Sequence, residues 1–242
     1  MQNVSDRKLG LRGSPRHLTA MIPMPPVGPG LVPVELEIPE VTLPSPLLAA
    51  VVPYEVVEAA QLTLSLPGAT PPGRYEGEIK LSERTQSLVV DVEPFVSCAI
   101  LPHSLVANAR AGEALHVELT LLNQGNVAYE VRASYAFPLV DAIGIDRALR
   151  RFTASETKAG GPGRADRFFD ELARGRGGPV RVDVHRGDGP VMPREIREIE
   201  AALKLPSRLQ QGRAYSGSWR LADAAFSIRV EIGDQSIEEE AR

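Results

Sequence analysis

The sequence predicts a mainly β protein of two consecutive β modules, the second carrying a partly helical insertion. Two observations lead there. First, the chain repeats itself: residues 62–93, LTLSLPGATPPGRYEGEIKLSERTQSLVVDVE, are answered by residues 201–232. Leu64 answers Leu203, Leu66 answers Leu205, Pro67 answers Pro206 and Gly73 answers Gly212. After one inserted residue, Tyr75 answers Tyr215, Gly77 answers Gly217 and Leu81 answers Leu221, and Leu88, Val90 and Val92 answer Ile228, Val230 and Ile232. A repeat of this kind means two copies of one supersecondary unit. Second, apolar residues alternate at period 2 within each copy, the mark of half-buried strands.

Composition narrows the function classes. The chain has 242 residues, 43% hydrophobic and 24% charged, which suits one large or two modest folded domains. Its net charge of −4, from 27 basic and 31 acidic residues, argues against a role holding nucleic-acid phosphates. Gly and Pro, 21 each, exceed average usage and fit many turns and extended segments. A single cysteine, Cys98 in the apolar run VSCAIL, excludes an intrachain disulfide and reads as a small buried hydrophobe. The start of the chain lacks the apolar core of a secretory signal, and no window approaches 18 apolar residues. The expectation is a cytoplasmic protein.

Taken in order, residues 1–30 read as an arm. Asp6, Arg7, Lys8, Arg12, Arg16 and His17 make its first half polar and mostly basic, whereas LTAMIPMPPVGPG is apolar and broken by four prolines. Proline at that density excludes a helix and favours an extended path. Met21, Ile22, Met24, Val27 and Leu31 would supply apolar contact to a partner chain, the methionines adapting to an irregular surface. A chain beginning near residue 31 is then expected to stay folded and lose assembly.

Residues 31–95 read as the first, small module. Val34, Leu36 and Ile38 alternate with glutamates, VTL lies between prolines as an edge segment, and LLAAVVPYEVV reads as a continuously buried strand before the first copy of the repeat. Residues 96–235 read as the second module, the two meeting near 94–97. Residues 96–106 form a strand broken at Pro102; Leu115, Val117, Leu119 and Leu121 alternate; Asn123-Gln-Gly-Asn126 reads as a turn whose Gly125 and asparagines tolerate positive φ. Tyr129 to Phe137 then returns as the second arm of a hairpin. An insertion spans 138–192, with Ile145, Leu149 and Phe152, then Phe168 and Leu172, at helical spacing. From 141 to 181 it has nine Arg/Lys against six Asp/Glu. Residues 236–242 are an acidic tail.

Strand, Asn-x-Gly-Asn turn, strand and a later Gly-x-x-Tyr-x-Gly strand resembles bacterial immunoglobulin-like modules, including those appended to glycosidases and cell-surface proteins. The resemblance covers the second module and its echo in the first. It implies sandwiches of seven to nine strands and brings no catalytic residues with it. In such sandwiches a Tyr near the start of the penultimate strand turns its hydroxyl onto the backbone of the preceding corner. Tyr75 and Tyr215, following Gly73 and Gly212, are placed for that role.

Chemistry is sparse. His17, His103, His116 and His185 share no metal-ligand spacing, and one cysteine makes a zinc site improbable. GGPGRA at 160–165 lacks the Lys-Ser/Thr of a phosphate loop, and no G-x-S-x-G occurs. Arg174-Gly-Arg-Gly-Gly178 reads as linker, and Arg186-Gly-Asp188 as a chance match to an integrin tripeptide. No catalytic residue, cofactor, metal or small-molecule substrate is therefore expected, and no nucleic-acid partner. The expected function is a non-catalytic accessory subunit that docks onto a larger protein complex through its arm and insertion, with a membrane surface as one setting. The alternatives are a carbohydrate-binding module using Trp219 and an enzyme using the insertion as a lid.

Overall fold

A computed structural model describes residues 8–23, 29–54, 59–81, 84–154 and 164–233. In chain order the elements are β1 (Leu9–Ser14), β2 (His17–Pro23), β3 (Gly30–Leu36), β4 (Leu47–Tyr54), β5 (Ala59–Leu64), β6 (Gly73–Leu81) and β7 (Arg84–Val92). There follow β8 (Cys98–Leu101), β9 (Ser104–Ala109), β10 (Ala114–Asn123), β11 (Tyr129–Val131), β12 (Ser134–Asp141), α1 (Gly144–Ala154) and α2 (Arg164–Arg174). The chain closes with β13 (Arg176–Arg186), β14 (Gly189–Val191), β15 (Ile196–Lys204), β16 (Ala214–Leu221) and β17 (Ala224–Ile232). It divides into two compact units: Met1–Ser97 with Asn123–Tyr129 and Met192–Arg194, and Cys98–Leu122 with Glu130–Val191 and Glu195–Arg242.

The first unit is a closed barrel in the order β1-β2-β5-β4-β3-β6-β7, with β1 running parallel to β7. An open pair of sheets was expected. Closure comes from the β1–β2 hairpin at one side and the β3–β4 pairing at the other, which leave no free edge. The second unit has the order β8-β10-β15-β13-β12-β16-β17-β9. If β8 and β9 are the two halves of one first strand, parted at Pro102 and His103, the orders correspond: β2 with β10, β5 with β15, β4 with β13, β3 with β12, β6 with β16, β7 with β17. The parallel pairing recurs as well, β9 lying beside β17. β11 and β14 form a separate two-stranded ribbon.

The repeated residues occupy matching positions in this order. Leu64 and Leu203, Leu66 and Leu205, Val90 and Val230 are all buried. Gly77 and Gly217 share a steric reason. A Cβ on Gly77 would stand 2.4 Å from the Glu35 carbonyl oxygen and 2.9 Å from the Leu36 side chain. On Gly217 it would stand 2.7 Å from the Pro138 carbonyl oxygen and 2.9 Å from the Leu139 side chain. In each unit the penultimate strand approaches its neighbour too closely for any side chain. Gly77→Ala is therefore expected to destabilise the first unit by about 1–3 kcal/mol, because backbone must shift to admit the methyl. An unchanged urea midpoint would refute this.

The reading of residues 1–30 as an arm is corrected. Residues 9–14 and 17–23 are strands of the barrel, β1 paired with β7 and β2 with β5. Leu11, Leu18 and Ile22 are buried in its core. The first module thus begins at β1 and not at residue 31. Two smaller readings also change. β4 is not buried throughout: Leu47, Ala49 and Val51 point inward while Leu48, Val52 and Tyr54 are exposed. The 138–192 insertion is shorter than expected, since β13 is an integral strand paired with β12 and β15. What is inserted is the segment 142–175.

The Asn123–Asn126 turn forms, but not through left-handed backbone, since neither asparagine nor Gly125 has positive φ. Asn123 Nδ2 donates to the Val127 carbonyl and its Oδ1 accepts from Gly125 N–H. Asn126 Nδ2 donates to the Glu93 carbonyl while its Oδ1 accepts from Phe95 N–H. Gly125 is needed for close approach, because a Cβ there would lie 2.3 Å from the Phe95 carbonyl oxygen.

Candidate interaction surface

The outer face of the barrel has two unlike halves. On β6 the outward residues are Arg74, Glu76, Glu78 and Lys80, all charged. Lys8 Nζ meets Glu76 at 2.9 Å and Arg12 Nε meets Glu93 at 2.5 Å on the same half. The Lys8 ammonium, by hydrogen bond and by charge, holds the Glu76 carboxyl below its ordinary value.

The other half is built from β2, β5, β4 and β3, adjacent in that order. Leu31 lies opposite Ala50, Ala50 opposite Thr63, and Thr63 opposite Thr19. In the next rows Pro33 lies opposite Leu48, and Val52, Gln61 and Met21 follow one another across three strands. Because alternate residues share a face, these side chains form one outward surface without a formal charge. Glu35 and His17 bound it at strand ends. Leu31 is 66% exposed, Met21 59% and Val52 53%. Tyr54 also lies here, its hydroxyl donating to Gln61 Oε1 at 2.7 Å.

The five residues expected to meet a partner thus separate. Met21 and Leu31 are on this exposed face. Ile22 is not available, being buried in the core, because strand alternation turns it opposite to Met21. Met24 and Val27 lie outside the described residues. Leu48, Val52 and Tyr54 were missed, since an unbroken apolar run such as LLAAVVPY does not reveal which side chains face out.

The four expected structural residues are placed as follows. Tyr75 is on β6 and its hydroxyl donates to the Pro71 carbonyl at 2.9 Å; burial pushes its phenol above the ordinary value. Tyr215 is on β16, fully buried, and its hydroxyl accepts from Gln210 N–H at 3.0 Å. Both bonds run to backbone a few residues upstream. Gly212 has a φ of +69°, which favours glycine. Gly73 has no such φ; a Cβ there would press on the Tyr75 hydroxyl at 3.3 Å. Tyr215→Phe is expected to cost on the order of 1 kcal/mol by leaving the Gln210 N–H without this acceptor. A denaturation midpoint equal to wild type would argue against the bond's contribution.

The insertion is held by a buried ionic cluster. The Asp141 carboxylate, with no solvent exposure, accepts from Arg147 at 2.8 Å and from Arg213 at 3.0 Å. Arg213 also reaches Glu171, 2% exposed, at 3.4 Å. These four residues come from the end of β12, from α1, from α2 and from the residue before β16. Asp141 also accepts from Ile143 N–H, and its own N–H donates to the Gly175 carbonyl.

The described residues offer little site chemistry. No group of three or more His, Cys, Asp or Glu side chains there could hold a metal ion. All four histidines are exposed. Arg186 of the integrin-like tripeptide is engaged by Glu198 and Glu200. Trp219 is buried beside Tyr135, ring centroids 5.4 Å apart, and offers no platform to a sugar. Cys98 is buried, and burial with the nearby Asp223 charge pushes its thiol up to about 11. Below that value the thiol stays protonated, so it should resist a thiol reagent at neutral pH until denaturant unfolds the second unit. Rapid labelling of the native protein would contradict this burial.

The fold and surface together define a mainly β protein of two units with a loose likeness to immunoglobulin-domain structures. No protein-family model matches the chain, and no curated protein matches it. Solved structures similar to it include a protein of unknown function from Porphyromonas gingivalis W83, at 11% identity and a TM-score of 0.28, covering 93% of this chain and 96% of that one. Domains 4 and 5 of the S-layer protein SbsC are similar at 12% identity and a TM-score of 0.26, over 72% and 69% of the two chains. A three-Ig structure of titin is similar at 11% identity and a TM-score of 0.33, over 95% of this chain and 64% of that one.

Proposed function

We propose that the chain is a non-catalytic accessory subunit that docks onto a larger protein assembly through the uncharged outer face of β2, β5, β4 and β3. The observation that carries this reading is the contrast between that face and the charged half of the same barrel. Solvent-facing strand positions are ordinarily polar, and contiguous exposed apolar surface marks an interaction site. Both units are read as variants of one immunoglobulin-like sandwich. Their common strand order, the parallel pairing of first and last strands, and the paired tyrosines support this.

The test is a Leu31→Glu/Val52→Glu double variant, tagged and purified from the native source under mild conditions. Both side chains are more than half exposed, so folding should change by under about 0.5 kcal/mol per site. A protein recovered in fixed ratio with the wild-type chain should be absent with the variant. Equal recovery of that protein with an unchanged melting temperature would remove the reading.

A further inference from the structure

The two sides of α1 differ. Gly144 and Ala148 are buried and Arg147 reaches the Asp141 carboxylate, so this side faces inward. The helix also packs against α2. On the other side Ile145, Asp146, Leu149 and Arg150 are exposed, Ile145 at 66% and Leu149 at 46%. With 3.6 residues to the turn, Ile145 and Leu149 stand one above the other, about 40° apart around the axis. Asp146 and Arg150 form a second such pair on the adjoining flank, roughly 100° further round. The exposed side thus carries an apolar pair and, beside it, an acid followed one turn later by a base.

We propose that this side of α1 pairs with α1 of a second copy of the chain, the two helices antiparallel about a two-fold axis. An isologous contact brings residue i to residue j of the other copy and j to i. With the axis at right angles to the helix between residues 147 and 148, Ile145 meets Leu149 of the second copy, and Asp146 meets its Arg150. The midpoints of the two residue pairs are one residue apart, about 1.5 Å along the helix, so one axis serves both. The order of the charges selects both the occupant and its direction. Acid before base on one flank complements itself when the second helix runs the other way. Parallel helices would set Asp146 against Asp146 and Arg150 against Arg150, and like charges face to face are unfavourable. An 11-residue helix is only about 16 Å long. The contact therefore belongs with small, weak interfaces, and the dimer forms as concentration rises.

The experiment is sedimentation velocity of the full chain from about 5 to 500 µM, the range in which a small interface dissociates. Wild type should pass from monomer to dimer across it. Ile145→Asn/Leu149→Asn should stay monomeric. Asp146→Arg and Arg150→Asp, each alone, should raise the dissociation constant about tenfold, since two attractive ion pairs become two repulsive ones. Mixed in equal amounts, these two single variants should dimerise as wild type does. So should the exchange Asp146→Arg/Arg150→Asp by itself, because both restore opposite charges across the axis. Circular dichroism should show every variant folded, all four positions being exposed. Leu31→Glu/Val52→Glu should dimerise normally, which separates this contact from the barrel face. A monomer at every concentration, undiminished dimer in Ile145→Asn/Leu149→Asn, no rescue by the mixture or by the charge exchange, or loss of the dimer in Leu31→Glu/Val52→Glu would each overturn the proposal.

Discussion

A chain that starts at residue 31 should lose its first unit while the second stays folded. Removing β1 and β2 takes Leu11, Leu18 and Ile22 out of the barrel core. Each buried side chain of that kind contributes about 1.5–3 kcal/mol, and a domain's whole stability is about 5–15 kcal/mol. The deletion also strips β5 and β7 of a partner strand each, opening two edges in a sheet that has none. Trp219, the sole tryptophan, is buried in the second unit and reports on it separately. Its emission and unfolding should be retained in the truncated chain. Limited proteolysis should meanwhile cut freely within residues 31–97. A truncated chain that resists protease there would mean the two strands are dispensable, and the original reading of an arm would return.

Asp141→Ala should destabilise the second unit by about 3 kcal/mol or more. Breaking a buried ion pair by removing one partner costs about 3–5 kcal/mol, because the remaining charge is left desolvated. Here two guanidiniums lose their shared carboxylate at once. Both retain some access to water, with side-chain exposures of 24% for Arg147 and 12% for Arg213, which places the effect toward the lower end. Arg213→Met alone should also be costly, since it removes a partner from both Asp141 and Glu171. The double variant should lose less than the two single losses together, as expected for residues in one network. Urea unfolding followed through Trp219 measures all three. Additive losses would show that the cluster does not act as a unit.

The repeat at 62–93 and 201–232, the period-2 alternation and the paired tyrosines were all readable because they are local. A strand's inward set is written in every second residue, and Leu64, Leu66, Val90 and their counterparts are buried accordingly. The same signal lay in Leu18, Ala20 and Ile22, but it was short and adjoined prolines, which suggested an extended arm. What that segment becomes depends on β5 and β7, whose pairing residues lie far along the chain. The exposed face was hidden for another reason. LLAAVVPY is apolar on both faces, so nothing local tells inward Val51 from outward Val52; only the barrel's curvature decides.

The sequence by itself therefore determined the class, the repeat and most strand positions, through hydrophobic periodicity and turn residues acting over a few neighbours. Tertiary structure alone decided barrel closure, the need for glycine at 77 and 217, and the buried ionic cluster that holds the insertion. Those depend on backbone approach and on charges distant in the chain, such as Asp141 and Arg213, whose residue types by default belong to the surface. They become interior groups only once folding brings opposite charges within hydrogen-bond reach and offsets the loss of water.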